Sequence, residues 1–135
     1  MTGAEGIGVK TKVKVVNLGS CNGCELEILD LIYGDPELEL CEADEEADML
    51  LLTGALTEAN RARAERVRPR PDAVMLRVGS CGISQGLFLP PDGALDRVEN
   101  LGGRASGFAV GCPPSSAEIA DALRVVAGRR QSGRA

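Results

Sequence analysis

The sequence predicts an α/β domain built on a mainly parallel sheet. Short apolar runs rich in Val, Leu and Ile alternate with stretches whose apolar residues recur at helical spacing. Three of those runs end in glycine closely followed by cysteine, which marks functional loops at the carboxyl ends of strands. The chain has 135 residues, 44% hydrophobic and 26% charged, which suits one globular core rather than a disordered chain.

Each element follows in order. Residues 13–18 form a Val-rich strand that stops at Gly19. Residues 24–32 carry Leu26, Leu29 and Ile32 at helical spacing, and Gly34-Asp35-Pro36 ends that helix. Residues 38–41 read as a short strand, and residues 49–52 as a buried one followed by Thr53-Gly54. Thr57 is an N-cap for a helix reaching about Val67, with Pro69 and Pro71 beyond it. Residues 73–78 make another strand, ending at Gly79. Residues 82–109 are rich in Gly and Pro and read as a long irregular loop, closed by a strand at Ala109-Val110. Ser115 or Ser116 caps a last helix with Ile119, Leu123 and Val126 on one face. Residues 1–8 and 128–135 read as loose ends of a single domain spanning 1–135, with no internal repeat.

Composition excludes several classes. The chain has no histidine, which removes Ser/His/Asp triads, Cys/His dyads and imidazole metal sites. Its net charge of −5 and its three aromatics (Tyr33, Phe88, Phe108) argue against nucleic-acid binding. No run approaches the length of a membrane span, and the first residues lack a secretory-signal layout, so we expect a cytoplasmic chain. Phosphate-loop and dinucleotide motifs are missing. Acidic residues gather between Glu37 and Asp48 and arginines between Arg61 and Arg77. Each group reads as a solvated face, or as a docking surface for partner subunits.

The cysteines carry the chemistry. Cys21 and Cys24 form Cys-Asn-Gly-Cys after the first strand; Cys81 and Cys112 follow Gly-Ser and Gly after later ones. Parallel strand ends share an edge, so these four thiols are placed to converge. Four thiolates without imidazole suit an iron–sulfur cluster or structural zinc. One close pair plus two distant singles favours a 4Fe-4S cubane over the two close pairs of a zinc ribbon. A thioredoxin-like thiol oxidoreductase is the competing reading, since Cys-x-x-Cys at a helix start lowers a thiol pKa. It leaves Cys81 and Cys112 without a role. Cys41, which lacks a glycine turn, reads as a small buried hydrophobe.

The segments Asn17-Leu-Gly-Ser-Cys-Asn-Gly-Cys-Glu-Leu-Glu-Ile-Leu, Leu51-Leu-Thr-Gly, Val78-Gly-Ser-Cys-Gly-Ile-Ser-Gln-Gly and Val110-Gly-Cys-Pro-Pro resemble a known family. It comprises the small subunit of nickel–iron hydrogenases and the 20 kDa subunit of respiratory complex I. The likeness is closest to the minimal small subunits of energy-converting, membrane-associated hydrogenases, and it covers residues 12–126. It implies a flavodoxin-like fold and one proximal 4Fe-4S cluster held by Cys21, Cys24, Cys81 and Cys112. It also implies electron transfer beside a hydrogenase-type large subunit, with a ferredoxin-like electron-transfer subunit as second partner. Membrane contact would come only through other subunits, on the cytoplasmic face. A complex I-like quinone reductase subunit is the nearest alternative, although Cys21-Asn-Gly-Cys24 departs from the adjacent cysteines typical there. Glu25 and Glu27, on the first turn after Cys24, are the candidates for proton transfer. The resemblance favours Glu27, while their simplest role is favourable charge at a helix start.

Overall fold

The computed structural model describes residues 10–55, 60–81 and 105–131. In chain order the elements are β1 (Thr11–Asn17), α1 (Gly23–Gly34), β2 (Leu38–Leu40), a 3₁₀ turn (Asp44–Glu46), β3 (Met49–Thr53), α2 (Arg61–Glu65), β4 (Val74–Val78), β5 (Ala105–Ala109) and α3 (Ser116–Gln131). The strands form one sheet in the order β2-β1-β3-β4-β5. Every pairing is parallel, with Val13 opposite Met49, Leu51 opposite Leu76 and Val78 opposite Ala109. This is the flavodoxin-like strand order.

Side chains alternate across the sheet, and both faces are covered. On one face Val13, Met49, Leu51, Val74, Leu76 and Val78 pack under Ile28 and Ile32 of α1 and Ile119, Leu123 and Val126 of α3. On the other, Val16, Leu50, Leu52 and Met75 pack under Ala64 and Val67. β3 is buried at all five positions, as a central strand covered on both sides must be. Each fully buried Leu, Ile or Val stabilises the fold by about 1.5–3 kcal/mol. α3 approaches β5 closely because Gly107 has no side chain: a Cβ there would stand 2.7 Å from Val126 Cγ1.

Ser115, not Ser116, caps α3. Its Oγ accepts the Glu118 N–H at 3.1 Å, and Glu118 Oε1 accepts the Ser115 N–H at 2.8 Å. This reciprocal capping box satisfies two amides that the helix start leaves unpaired.

The sequence-based reading needs two corrections. The expected irregular loop at 82–109 ends in a five-residue strand, Ala105–Ala109, where a strand was expected only at Ala109-Val110. Ala-Ser-Gly-Phe-Ala lacks the β-branched residues that signal a strand; its pairing with β4 makes it one. The last helix runs on to Gln131, four residues into the end that was read as loose. Residues 82–104, like the proposed Thr57 cap, lie outside the described residues. The run from Glu37 to Asp48 is partly engaged within the fold. Asp44 pairs with Lys14 at 3.3 Å and accepts the Arg68 N–H at 2.8 Å, while Asp48 pairs with Arg70 at 2.9 Å and accepts the Lys12 N–H at 2.8 Å.

Candidate metal centre

All the cysteines singled out for the cluster follow strand tips at one sheet edge. Strand order reverses between β1 and β3, because β2 and β3 flank β1 on opposite sides. The carboxyl end of such a switch point is where open α/β sheets bind ligands. The loop carrying Cys21 and Cys24 leaves β1 there.

Local hydrogen bonds shape that loop. Asn17 Oδ1 accepts the N–H groups of Gly19 at 2.7 Å and Ser20 at 2.9 Å, an Asx turn. Ser20 Oγ accepts the Asn22 N–H at 3.0 Å. Asn22 adopts φ 76°, a left-handed conformation that Asn tolerates better than most residues, and α1 begins at Gly23. Cys21 is exposed and Cys24 half-buried.

The other two cysteine segments close on this loop. Cys24 Sγ lies against the backbone of Gly79, where a Cβ would stand 2.5 Å from the sulfur. Gly79 has φ +92°, so glycine is required there on both counts. The Ser80 N–H donates to Gly111 O at 2.8 Å, which ties the residue before Cys81 to the residue before Cys112. A Cβ on Gly23 would lie 3.8 Å from Pro113 Cγ, which brings the Cys112-Pro113 segment beside the first cysteine loop. The Cys112–Pro113 peptide bond is cis. Cys81 is half-buried and Cys112 exposed.

The electrostatics agree with this gathering. The Cys24 thiol is pushed up to about 11, first by burial, then by the Glu25 charge, and then by Cys21, Cys81 and Cys112. Burial also raises Cys81, with Cys112 and Cys21 adding to it. Thiols that suppress one another's ionisation suit a site that meets a cation, whose charge reverses that balance. Cys41 stands apart. It packs beside the core under α2, near Ala43 O at 3.8 Å, and burial and Glu46 raise its pKa.

The two carboxylates have different settings. Glu27 Oε1 accepts the Ser116 N–H at 2.9 Å, at the N-terminus of α3. Glu25 accepts two hydroxyls: Ser20 Oγ–H at 2.5 Å on Oε1, and Thr53 Oγ1–H on Oε2. Thr53 is fully buried at the tip of β3. The sequence gives no sign of this link, since 28 residues separate its ends. A cleft of about 620 Å³ opens between Gly19, Cys21, Cys81 and the α2 arginines Arg63 and Arg66. Arg63 Nη1 donates to Asn17 O at 2.9 Å on its wall.

The donor set is all thiol, a chemistry shared by iron–sulfur clusters and zinc. Among the described residues no three Cys, Asp or Glu side chains are grouped to hold one metal ion. The thiols come from three loops around a shared edge. Next to these loops Leu26 and Val110 are 67% and 68% exposed, an apolar rim beside the cysteines. Among the described residues no helix is long and apolar enough to cross a membrane.

Comparison with known proteins identifies the family. Residues 21–126 match the family described as NADH ubiquinone oxidoreductase, 20 Kd subunit. Formate hydrogenlyase subunit 7 of Escherichia coli K12 is 34% identical over 76% of this chain, which spans 42% of that protein's length. The probable membrane-bound hydrogenase subunit mbhJ of Pyrococcus furiosus is 31% identical over 80% of this chain and 68% of its own. A chain of the membrane-bound sulfane sulfur reductase, an archaeal respiratory membrane complex, superposes with a TM-score of 0.68. That match covers 93% of this chain and 73% of the other, at 19% identity, and shows a shared fold. The chain therefore belongs to the 20 kDa subunit family of NADH:ubiquinone oxidoreductase, which also includes hydrogenase subunits, and is a subunit of that oxidoreductase type.

Proposed function

We propose that this chain is an electron-transfer subunit carrying one 4Fe-4S cluster, with Cys21, Cys24, Cys81 and Cys112 as its ligands. The observation that carries the reading is the close approach of Cys24 Sγ to the Gly79 backbone, two residues before Cys81. It joins the first cysteine pair to a strand tip distant in sequence. When bound, such a cluster supplies one-electron transfer. The chain's own part is to hold the sulfurs and to half-bury Cys24 and Cys81.

The partners we propose are a nickel–iron hydrogenase-type large subunit against the cysteine edge and a ferredoxin-like subunit for onward electron flow. The exposed apolar residues Leu26 and Val110, beside the exposed Cys21 and Cys112, suit such burial. Hydrogen or quinone chemistry would lie on the large subunit, and any membrane contact, on the cytoplasmic face, on other subunits.

Single Cys→Ser replacements in the purified complex test this. Each of Cys21, Cys24, Cys81 and Cys112 should remove one cluster's share of the brown absorbance near about 400 nm and of the iron, while Cys41→Ser keeps both. A Cys81→Ser or Cys112→Ser variant with full colour overturns the assignment. So does a colourless, zinc-loaded wild-type chain.

A further inference from the structure

We propose that Glu25 sets the cluster's reduction potential: its carboxylate, pinned between the hydroxyls of Ser20 and Thr53 directly after Cys24, is a fixed negative charge that holds the potential low. The inference rests on the cluster reading above.

Three observations carry it. Glu25 follows Cys24 in the first turn of α1, and its charge is felt at the Cys24 thiol. Both of its carboxylate oxygens are engaged by donors from separate segments: Ser20 of the cysteine loop and Thr53 of the β3 tip. Thr53 is the one fully buried polar side chain among the described residues, and its hydroxyl points at Glu25 rather than at backbone. Ser20 Oγ already accepts the Asn22 N–H, which leaves its single proton for Glu25.

The third observation is that no described cation pairs with Glu25. Glu25 shares the wall of a cavity of about 310 Å³ with Lys14. Lys14, however, pairs with Asp44 at 3.3 Å and donates to Glu42 O at 2.5 Å. Among the described residues no Lys or Arg forms an ion pair with Glu25. Neutral hydroxyls orient a carboxylate without cancelling its charge.

An electron added beside a fixed negative charge is disfavoured. At separations of several Å in a partly buried site the effect is about tenfold on a one-electron equilibrium, or about 59 mV. The test is a redox titration of the purified complex followed by electron paramagnetic resonance, with iron content measured in parallel. Glu25→Gln should retain iron and raise the reduced-to-oxidised ratio about tenfold at a fixed ambient potential. Glu25→Asp, which keeps the charge, should stay near wild type. Thr53→Val, which removes one tether, should shift in the same direction by less.

An unchanged potential in an iron-replete Glu25→Gln variant overturns the proposal and leaves the cluster reading intact. Equal shifts in Glu25→Gln and Glu25→Asp show that shape acts rather than charge, and overturn it. Loss of iron in Glu25→Gln and in Thr53→Val alike marks a purely structural tie and overturns it. A wild-type chain that holds no cluster overturns both readings.

Discussion

At Gly79 one hydrogen atom in place of a methyl group lets Cys24 reach its position. A Cβ would sit 2.5 Å from Sγ, and the backbone is already at φ +92°. The left-handed conformation alone costs a non-glycine residue about 1–2 kcal/mol. Gly79→Ala should therefore lower stability by at least about 2 kcal/mol in urea unfolding and reduce iron content; a wild-type midpoint would contradict this packing. The Cys24 thiol supports a second prediction. Burial and the neighbouring anions hold it at about 11, above its ordinary value, so the unfolded chain loses this proton first. The metal-free fold should then lose stability as pH rises from the unfolded value of 9.0 toward about 11. At pH 8 the native metal-free chain should alkylate at Cys24 about a hundredfold more slowly than the unfolded chain, as peptide mass analysis would show. The glycine turns beside these cysteines were legible in the sequence because each depends on its immediate neighbours. The partners of Glu25 and Glu27 were not, because those hydrogen bonds span 28 and 89 residues.

At the scale of elements, the start of α3 is fixed from two sides. Ser115 and Glu118 cap it from within, and Glu27 of α1 accepts its Ser116 N–H from across the layer. Ser115→Ala should cost about 1 kcal/mol, and Glu27→Ala about 1 kcal/mol or slightly more for the hydrogen bond it removes. The two should not add, because they stabilise the same four amides; a double-mutant cycle by urea denaturation reads the coupling. Strictly additive losses would place the two contacts in separate units. Most strands were legible from their Val and Leu runs, with ends displaced by one or two residues. β1 shows the reason: hydrogen bonding to β2 and β3 extends it back to Thr11 and stops it at Asn17. β5 escaped notice because its residues have weak strand preference and gain it from β4.

For the whole molecule, stability is concentrated in the central strand. Leu51 of β3 is fully buried between α1, α3 and the neighbouring strands, so Leu51→Ala should cost about 2–5 kcal/mol. Val125, on the outer face of α3 and 55% exposed, should tolerate Ala within about 0.5 kcal/mol. Denaturant midpoints of the two variants measure the contrast, and similar losses would refute this division of core and surface. The parallel order of the sheet was legible as a class from alternating strands and helices. Its exact order was legible only through the resemblance to a flavodoxin-like family, because nothing local in a strand names its neighbour.

That order also has a bearing on biogenesis. The first two cysteines emerge at positions 21 and 24, but the residue before Cys112 reaches them only once Ala105–Ala109 has paired with Val74–Val78. Pairings between segments so distant in sequence form late and slowly. A nascent chain therefore exposes reactive thiols long before it can offer them as a set. Were the proposed cluster bound, its delivery would follow folding, and the donor would meet a finished scaffold rather than an unstructured peptide.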